Sequence, residues 1–412
     1  MTRDVRILWA GQGVSSVGNA VSALALPFVA LLDLHAHAWQ VGLLSACAFA
    51  SYAVLALPVG AWLDRRTRRP FVLAGDLGRG LALGSIPIAH ALGLLTLTQL
   101  VVVALVVGAF SVVFDVAYQS WLPGLVDPGD LVAANGRLGA TDSAGRLIGP
   151  GVAGLLVAAI GASATVGLDA VSFVAAGAAT LAVRNREKLH GAAAAGGGSA
   201  LAGLRWLTRQ TALRAVVACT ATANLFVATW LAAETVFLIR TLNAGTTVTG
   251  AVLGLGSAGG VFGGLLAARV SQRLGSARTL LLCAAAGGPC ALLAVVATDV
   301  AGPWALSFGL LGITATAAIY GAGSVSYRQQ ATPPALLARV TAAIRVTTYG
   351  VLPLGALLGG VLASTAGPRD TLLIAAAGYG SSALWLLPFA RTRDLPLSGS
   401  LVATTTARQA IA

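Results

Sequence analysis

What this chain has least of is charge. Only 10% of its 412 residues are Asp, Glu, Lys or Arg, 57% are apolar, and the mean hydropathy is +0.84. A soluble chain carries about a quarter charged residues to coat its water-facing surface. The two or three soluble domains that the length alone would suggest are therefore excluded. Acid is scarcer than base: 14 Asp and Glu against 26 Lys and Arg give a net charge of +12. That excess excludes rather than suggests a nucleic-acid partner, because a phosphate backbone needs one continuous basic face. Here the basic residues sit in short gaps between apolar runs. Lysine is almost missing, with Lys188 alone among arginines, an imbalance that reads as genomic base composition. The four cysteines (Cys47, Cys219, Cys283, Cys290) lie inside apolar runs without a CxxC spacing and read as small buried thiols. The four histidines are scattered, no nucleophile constellation occurs and there is no Walker P-loop, so neither an enzyme nor an ATPase is expected, and no cofactor or metal. Asp33, His35 and His37 read as a solvated loop. Gly254-Leu-Gly-Ser-Ala-Gly259 fits G-x-G-x-x-G but lies in an apolar run with no strand before it, which excludes a dinucleotide site.

What the chain does have is apolar runs of about twenty residues, the length that crosses hydrocarbon. They predict an all-α membrane protein with twelve spans near 10–32, 40–62, 71–94, 96–119, 138–160, 163–184, 214–239, 247–268, 277–298, 303–326, 340–363 and 371–390. The run after Arg3 and Arg6 is too long for a signal-peptide core and reads as the first span. If the amino terminus is inside, the inner gaps hold nearly all the arginines, and the outer gaps hold only Arg240 and Arg369. One span fewer would invert every later gap and destroy that asymmetry, so twelve spans with both termini cytoplasmic satisfy the positive-inside rule.

The longest gap, 185–212, contains GAAAAGGGSA and reads as a flexible cytoplasmic linker. It separates an amino-terminal six-helix bundle (1–184) from a second one (213–391), followed by a cytoplasmic tail (392–412). Faint repetition supports this division: GAWLDRRTRRP follows the second span, GGLLAARVSQRLGSAR follows the eighth, and Pro150 in span five has a counterpart in Pro353 of span eleven. Tandem halves related by a pseudo-two-fold axis are a common plan of secondary transporters, with the substrate between them.

Two long motifs then carry a resemblance. Gly60-Ala-Trp-Leu-Asp64-Arg65-Arg66-Thr-Arg68-Arg69 is similar to the G-x-x-x-D-R-x-G-R-R loop of the major facilitator superfamily, departing at Thr67. Gly136, Gly145, Gly149, Pro150 and Gly154 fit the span-five pattern G-x8-G-x3-G-P-x2-G-G, with Ala153 in place of one glycine. That pattern resembles the one carried by members that exchange substrate for protons. WQVGL at 39–43, Tyr118-Gln-Ser-Trp-Leu-Pro123 and Leu168-Asp169-Ala-Val-Ser172-Phe173 look like the drug/proton antiporter branch containing the enterobactin exporter and macrolide-efflux pumps. The resemblance implies a proton-coupled exporter of an amphipathic antibiotic, siderophore or related natural product, acting as a monomer in the cell membrane. Its partners would be lipid, substrate and protons.

Each motif has a physical reading. In the loop, Gly60, Asp64, Arg65, Arg68 and Arg69, with Asp115 as the acidic partner of Arg68, form either a latch that holds one arrangement of the bundles or a plain anchor on the anionic inner leaflet. The glycines of span five allow close helix approach, and Pro150 removes a backbone bond. Charges within spans are expensive unless they pair or line a cavity. Asp142, with Arg146 four residues on, then Glu234 and Asp169, are the ordered candidates for carrying a proton, with Asp33 last. Asp76 and Arg79 read as a structural pair. A cavity lined from spans one, four, seven and ten would offer Asn19, Asn224, Trp230 and Tyr320. The rivals are a metabolite importer, which the span-five pattern opposes, and a non-transporting membrane subunit or sensor.

Overall fold

The computed structural model describes residues 3–63, 66–125, 131–183, 200–333 and 336–395. Twelve of its helices are long and apolar enough to cross a membrane. In hydrocarbon no water is available to bond the backbone, and a helix meets that demand within one segment. The first six spans are α1 (Arg3–Phe28, extended by a wider turn Val29–Asp33), α2 (Ala38–Leu63), α3 (Arg69–Ala91), α4 (Leu97–Leu125), α5 (Leu131–Ile160) and α6 (Ala162–Ala182). Four spans of the second half are α8 (Thr211–Val236, extended through Thr241), α9 (Thr246–Leu274), α10 (Ser276–Ala301) and α11 (Pro303–Ala331). The eleventh span is divided into α12 (Leu337–Tyr349) and α13 (Leu352–Thr365), and the twelfth is α14 (Pro368–Ser381), which tightens into a 3-10 turn through Phe389.

Chain reversal between neighbouring spans uses the same chemistry twice. Gly302 and Gly367 take φ of 60° and 94°, and Pro303 and Pro368 follow at once. Glycine supplies the left-handed turn at no steric cost, and proline starts the next helix where its missing N–H is not needed. Proline has a different effect in the two corresponding spans: α5 runs unbroken through Pro150, whereas the eleventh span breaks at Gly350–Val351 just before Pro353.

Two stretches differ from the sequence expectation. The expected linker contains a ten-residue helix, α7 (Ala200–Arg209), and residues 184–199 lie outside the described residues. Leu207 is buried and Trp206 packs beside it against Leu213 of α8 and Val340 of α12, so this part of the linker belongs to the second half's core. The start of the tail is likewise tied down. The Asp394 carboxylate accepts from the Ser276 amide at 2.8 Å, and the Ala277 amide donates to the Arg393 carbonyl, capping the first turn of α10.

Packing repeats between the halves. In the first half α1 lies against α5 and α6, α3 against α4 and α6, and α2 against α4. In the second, α8 lies against α13 and α14, α10 against α11 and α14, and α9 against α11. The halves meet through α5 with α9 and α2 with α13, two pairs that the same pseudo-two-fold axis exchanges.

The core shows where the halves join and where they part. At the face away from the termini one apolar cluster runs through both, including Phe28 and Val29 after α1, Val41, Val157, Phe237, Leu238, Val252 and Leu372. Backbone contact closes this face: Gly42 meets Gly360, Gly154 meets Gly250, the Trp39 amide donates to Ser364 Oγ at 2.9 Å, and Arg240 donates to the Ala36 carbonyl at 2.6 Å. Arg369, the other arginine on this side, pairs with Asp299. Midway, Ala46 still packs on Ala228 and Ala356, beside Phe49 and Leu352. At the terminal face the core splits into two clusters, Leu8, Leu63, Trp121 and Val183 in the first half and Leu207, Leu213, Val340 and Leu386 in the second. Among the described residues the core is thus shared at one face and divided at the other, and the space between the two clusters is the cleft.

Candidate functional site

The cleft begins one helical turn below that midway contact. Tyr52 of α2, three residues after Phe49, and Tyr349 at the end of α12, three residues before Leu352 of α13, are both exposed. The Tyr52 hydroxyl donates to the Asp115 carboxylate of α4. Behind this wall, inside the first bundle, lies a buried ionic cluster. Arg79 Nη2 is 2.7 Å from Asp76 Oδ1, and the two side chains are 3% and 0% exposed. Arg79 Nε donates to the Gly75 carbonyl at 3.0 Å, and Gln12 Nε2 of α1 reaches Asp76 Oδ2 at 3.4 Å. The guanidinium lies between the rings of Phe114 and Phe173, 4.2 Å from each centroid. Two aromatic faces and a carboxylate together offset the large cost of taking an arginine out of water.

Asp169 lies one turn before Phe173 on α6 and within electrostatic reach of Arg79. Its Oδ1 accepts from Ser172 at 2.8 Å, while its Oδ2 is buried without a hydrogen-bond partner. Glycine at 18 is required here, since a Cβ on α1 would collide with both Asp169 and Ser172. In the second half Glu234 is buried on α8 and accepts from Trp230 Nε1 at 2.6 Å, with no basic side chain bonded to it among the described residues. Among the described residues Asp76 is thus held by an arginine, whereas Asp169 in the first half and Glu234 in the second are in no ion pair. The latter two can take up or give up a proton without breaking an ion pair.

The motif residues fall as follows. Gly60 ends α2 with open space where a Cβ would stand, and Arg69 donates to the Thr180 and Leu181 carbonyls of α6, tying the loop to its own bundle. Arg68 is half-buried, and Asp64 and Arg65 lie outside the described residues. On α5, Gly145 faces Ser16 and Gly149 faces Ala20 of α1, while Gly154 and the Pro150 carbonyl meet Gly250 of α9. One helix thus packs closely on its own half and on the other. Gly136 and the side chain of Asp142 fall where α5's surroundings lie outside the described residues, and Arg146 is exposed. An apolar groove of about 470 Å³ opens beside this stretch, lined by Trp9, Gly13, Val14 and Thr141. Asp33 accepts from Ser163 at 2.6 Å and faces His90.

Of the four expected cavity residues, only Asn19 is exposed. Asn224 donates to the Thr348 carbonyl at 2.7 Å, tying α8 to α12. Tyr320 is buried with its hydroxyl beside Thr220 Oγ1 and the Val216 carbonyl, and Trp230 is committed to Glu234. The hydrogen bonds of these three all lie within the second bundle. Sequence reasoning read Asp76 and Arg79 as structural and passed over Tyr52 and Tyr349. Two opposite charges three residues apart in an apolar run were the available signal for the first pair.

A family model described as Major Facilitator Superfamily matches residues 8–356. The multidrug efflux pump Tap of Mycolicibacterium fortuitum is 26% identical over 379 residues, covering 87% of this chain and 89% of that protein. Macrolide efflux protein A of Streptococcus pyogenes is 26% identical over 178 residues, and that match spans 43% of this chain and only 44% of the relative. Two solved structures share the fold. A bacterial homologue of the iron transporter ferroportin in an inward-facing state has a TM-score of 0.75 at 17% identity, covering 94% of this chain and 99% of the other. The nucleoside transporter NupG has a TM-score of 0.77 at 13% identity, with the same coverage. With its twelve spans, repeated halves and cleft between them, the chain belongs to the major facilitator superfamily and is a membrane transporter rather than an enzyme.

Proposed function

We propose that the chain is a proton-coupled exporter of amphipathic small molecules, working by alternating access as a monomer in the cell membrane with both termini cytoplasmic. The observation that carries this reading is the division of the core: shared at the face away from the termini, split at the terminal face. The arginines concentrate at the terminal face, which the positive-inside rule makes cytoplasmic. The cleft then opens where an exporter loads its cargo. The two relatives named for macrolide and multidrug efflux support export. The sequence has no nucleotide-binding motif, so an ion gradient is the energy source, and buried carboxylates are the groups able to carry its protons. Asp169 and Glu234 have the geometry for this, and Asp142 holds its place through the span-five motif.

The test uses everted vesicles carrying the full chain, acidified inside, with erythromycin, fluorescein and rhodamine 6G as probes. Accumulation of a probe that a protonophore abolishes is the expected result. At least one of Asp169→Asn, Glu234→Gln and Asp142→Asn should remove accumulation while leaving probe binding intact. Accumulation that survives the protonophore contradicts proton coupling. Uptake only into right-side-out vesicles makes the protein an importer.

A further inference from the structure

The second-half wall of the cleft carries two arginines with no acid beside them among the described residues. Arg328 lies near the end of α11 and Arg345 in the middle of α12, within electrostatic reach of each other and of Tyr349. Among the described residues neither meets a carboxylate, although such pairing is how membrane-embedded charge is normally stabilised. Arg328 is half-buried, and its Nε is sealed from solvent with no hydrogen-bond partner. Arg345, Val346, Thr347 and Tyr349 are exposed on α12, which packs against α7, α8 and α2. α12 meets α2 of the other half, and Tyr349 is within electrostatic reach of Tyr52 there, which puts this end of the helix at the cleft.

Two guanidinium groups held together repel one another, and a buried N–H without a partner costs free energy that nothing nearby repays. One anion between the two groups relieves the repulsion. Guanidinium forks match carboxylate, sulfonate and phosphate oxygens in pairs, and the bonds are charge-assisted. Position argues for a cargo site in place of a headgroup site. Arg345 is eight residues inside the start of α12, about 12 Å of helix rise from its end, and one turn below the exposed Tyr349 near the cleft's apex. The opposite wall presents Tyr52, whose hydroxyl is committed to Asp115. The exposed tyrosine rings and Val346 offer an apolar and aromatic surface for the rest of the molecule.

We propose that Arg328 and Arg345 form the binding site for the anionic group of the substrate, which makes the cargo an amphipathic organic anion. This deepens the reading of the chain as a small-molecule exporter and rests on it. Equilibrium binding needs neither gradient nor direction, so the two ideas fail separately.

The experiment uses purified full-length protein in phosphatidylcholine nanodiscs, titrated with fluorescein and rhodamine 6G. The two dyes share a xanthene body and differ in the sign of their charge, and fluorescence anisotropy reads their binding. Wild type should bind fluorescein at least about tenfold more tightly than rhodamine 6G. R345Q and R328Q should each weaken fluorescein by about tenfold and leave rhodamine 6G unchanged or improved. Added salt should weaken fluorescein alone. R345Q is the safer variant, because Arg345 is exposed and packs no core; thermal unfolding at or above the wild-type temperature shows that the fold is kept. A preference for rhodamine 6G, or fluorescein affinity at the wild-type level in both R345Q and R328Q, overturns the proposal. A second arm adds phosphatidylglycerol and follows retained lipid by native mass spectrometry. Loss of retained lipid in R328Q/R345Q with fluorescein binding unmoved would assign the pair to headgroups and overturn it equally.

Discussion

Removing the Asp76 carboxylate would leave the Arg79 guanidinium buried between two phenyl rings, bonded to the Gly75 carbonyl and with no paired carboxylate among the described residues. Breaking one side of a buried pair typically costs about 3–5 kcal/mol, whereas replacing both members by apolar residues of similar volume is often close to neutral. Asp76→Asn should therefore lower the unfolding temperature sharply, and Asp76→Leu/Arg79→Met should restore most of it. Thermal unfolding in detergent checks this. If the double variant is as unstable as the single one, the rings and the Gly75 carbonyl rather than the ion pair hold the arginine. The sequence allowed the pair to be found but not weighed: a spacing of three gives mutual reach, while Phe114 and Phe173 come from spans four and six, which local reading cannot bring together. The bonding partners of the expected cavity residues were hidden for a related reason. In a uniformly apolar span no polar stripe marks the inward face, so local reading gave no sign that Asn224 and Tyr320 join α8 to its neighbours.

At the scale of elements, α5 against α9 and α2 against α13 are the contacts on which closure depends. Each contact has glycine on both sides, and at Gly250 an added Cβ would run into the Pro150 carbonyl. Interfaces of this kind hold through close backbone approach, so a large side chain acts as a wedge. Gly250→Leu should prop the non-terminal face open and reduce transport by at least about tenfold, the scale of a contact worth 1.4 kcal/mol in the closed state. Labelling of a cysteine placed at Thr246 by a membrane-impermeant maleimide reads the opening; unchanged labelling and full transport would show that the glycines are ordinary packing. The span-five glycines and Pro150 were legible because their spacing is rigid along one helix. The helix α7 was not, because its ten residues follow directly on an Ala/Gly/Ser run, and its order comes from Trp206 and Leu207 docking on distant helices.

For the molecule as a whole, twelve spans and two halves were readable from hydropathy and from the one-sided arginines, since both follow from the bilayer and not from side-chain packing. Which face is shut was not readable, because it depends on distances between helices some two hundred residues apart in the chain. Among the described residues the halves share their core at the non-terminal face and midway, and alternating access requires a second state in which that core parts and the terminal face closes. A first spin-label pair at Gln119 of α4 and Gln330 of α11 spans the terminal opening, and a second at Leu94 after α3 and Ala301 of α10 spans the closed face; Cys47, Cys219, Cys283 and Cys290 are first replaced by serine or alanine. Double electron–electron resonance is then recorded in acid and alkaline buffer, with and without a transported probe. The account predicts a second population in which the Gln119–Gln330 distance shortens while the Leu94–Ala301 distance lengthens, with pH and probe moving the balance. Distances that stay single-valued at both faces under all four conditions, in protein that still transports, would contradict it.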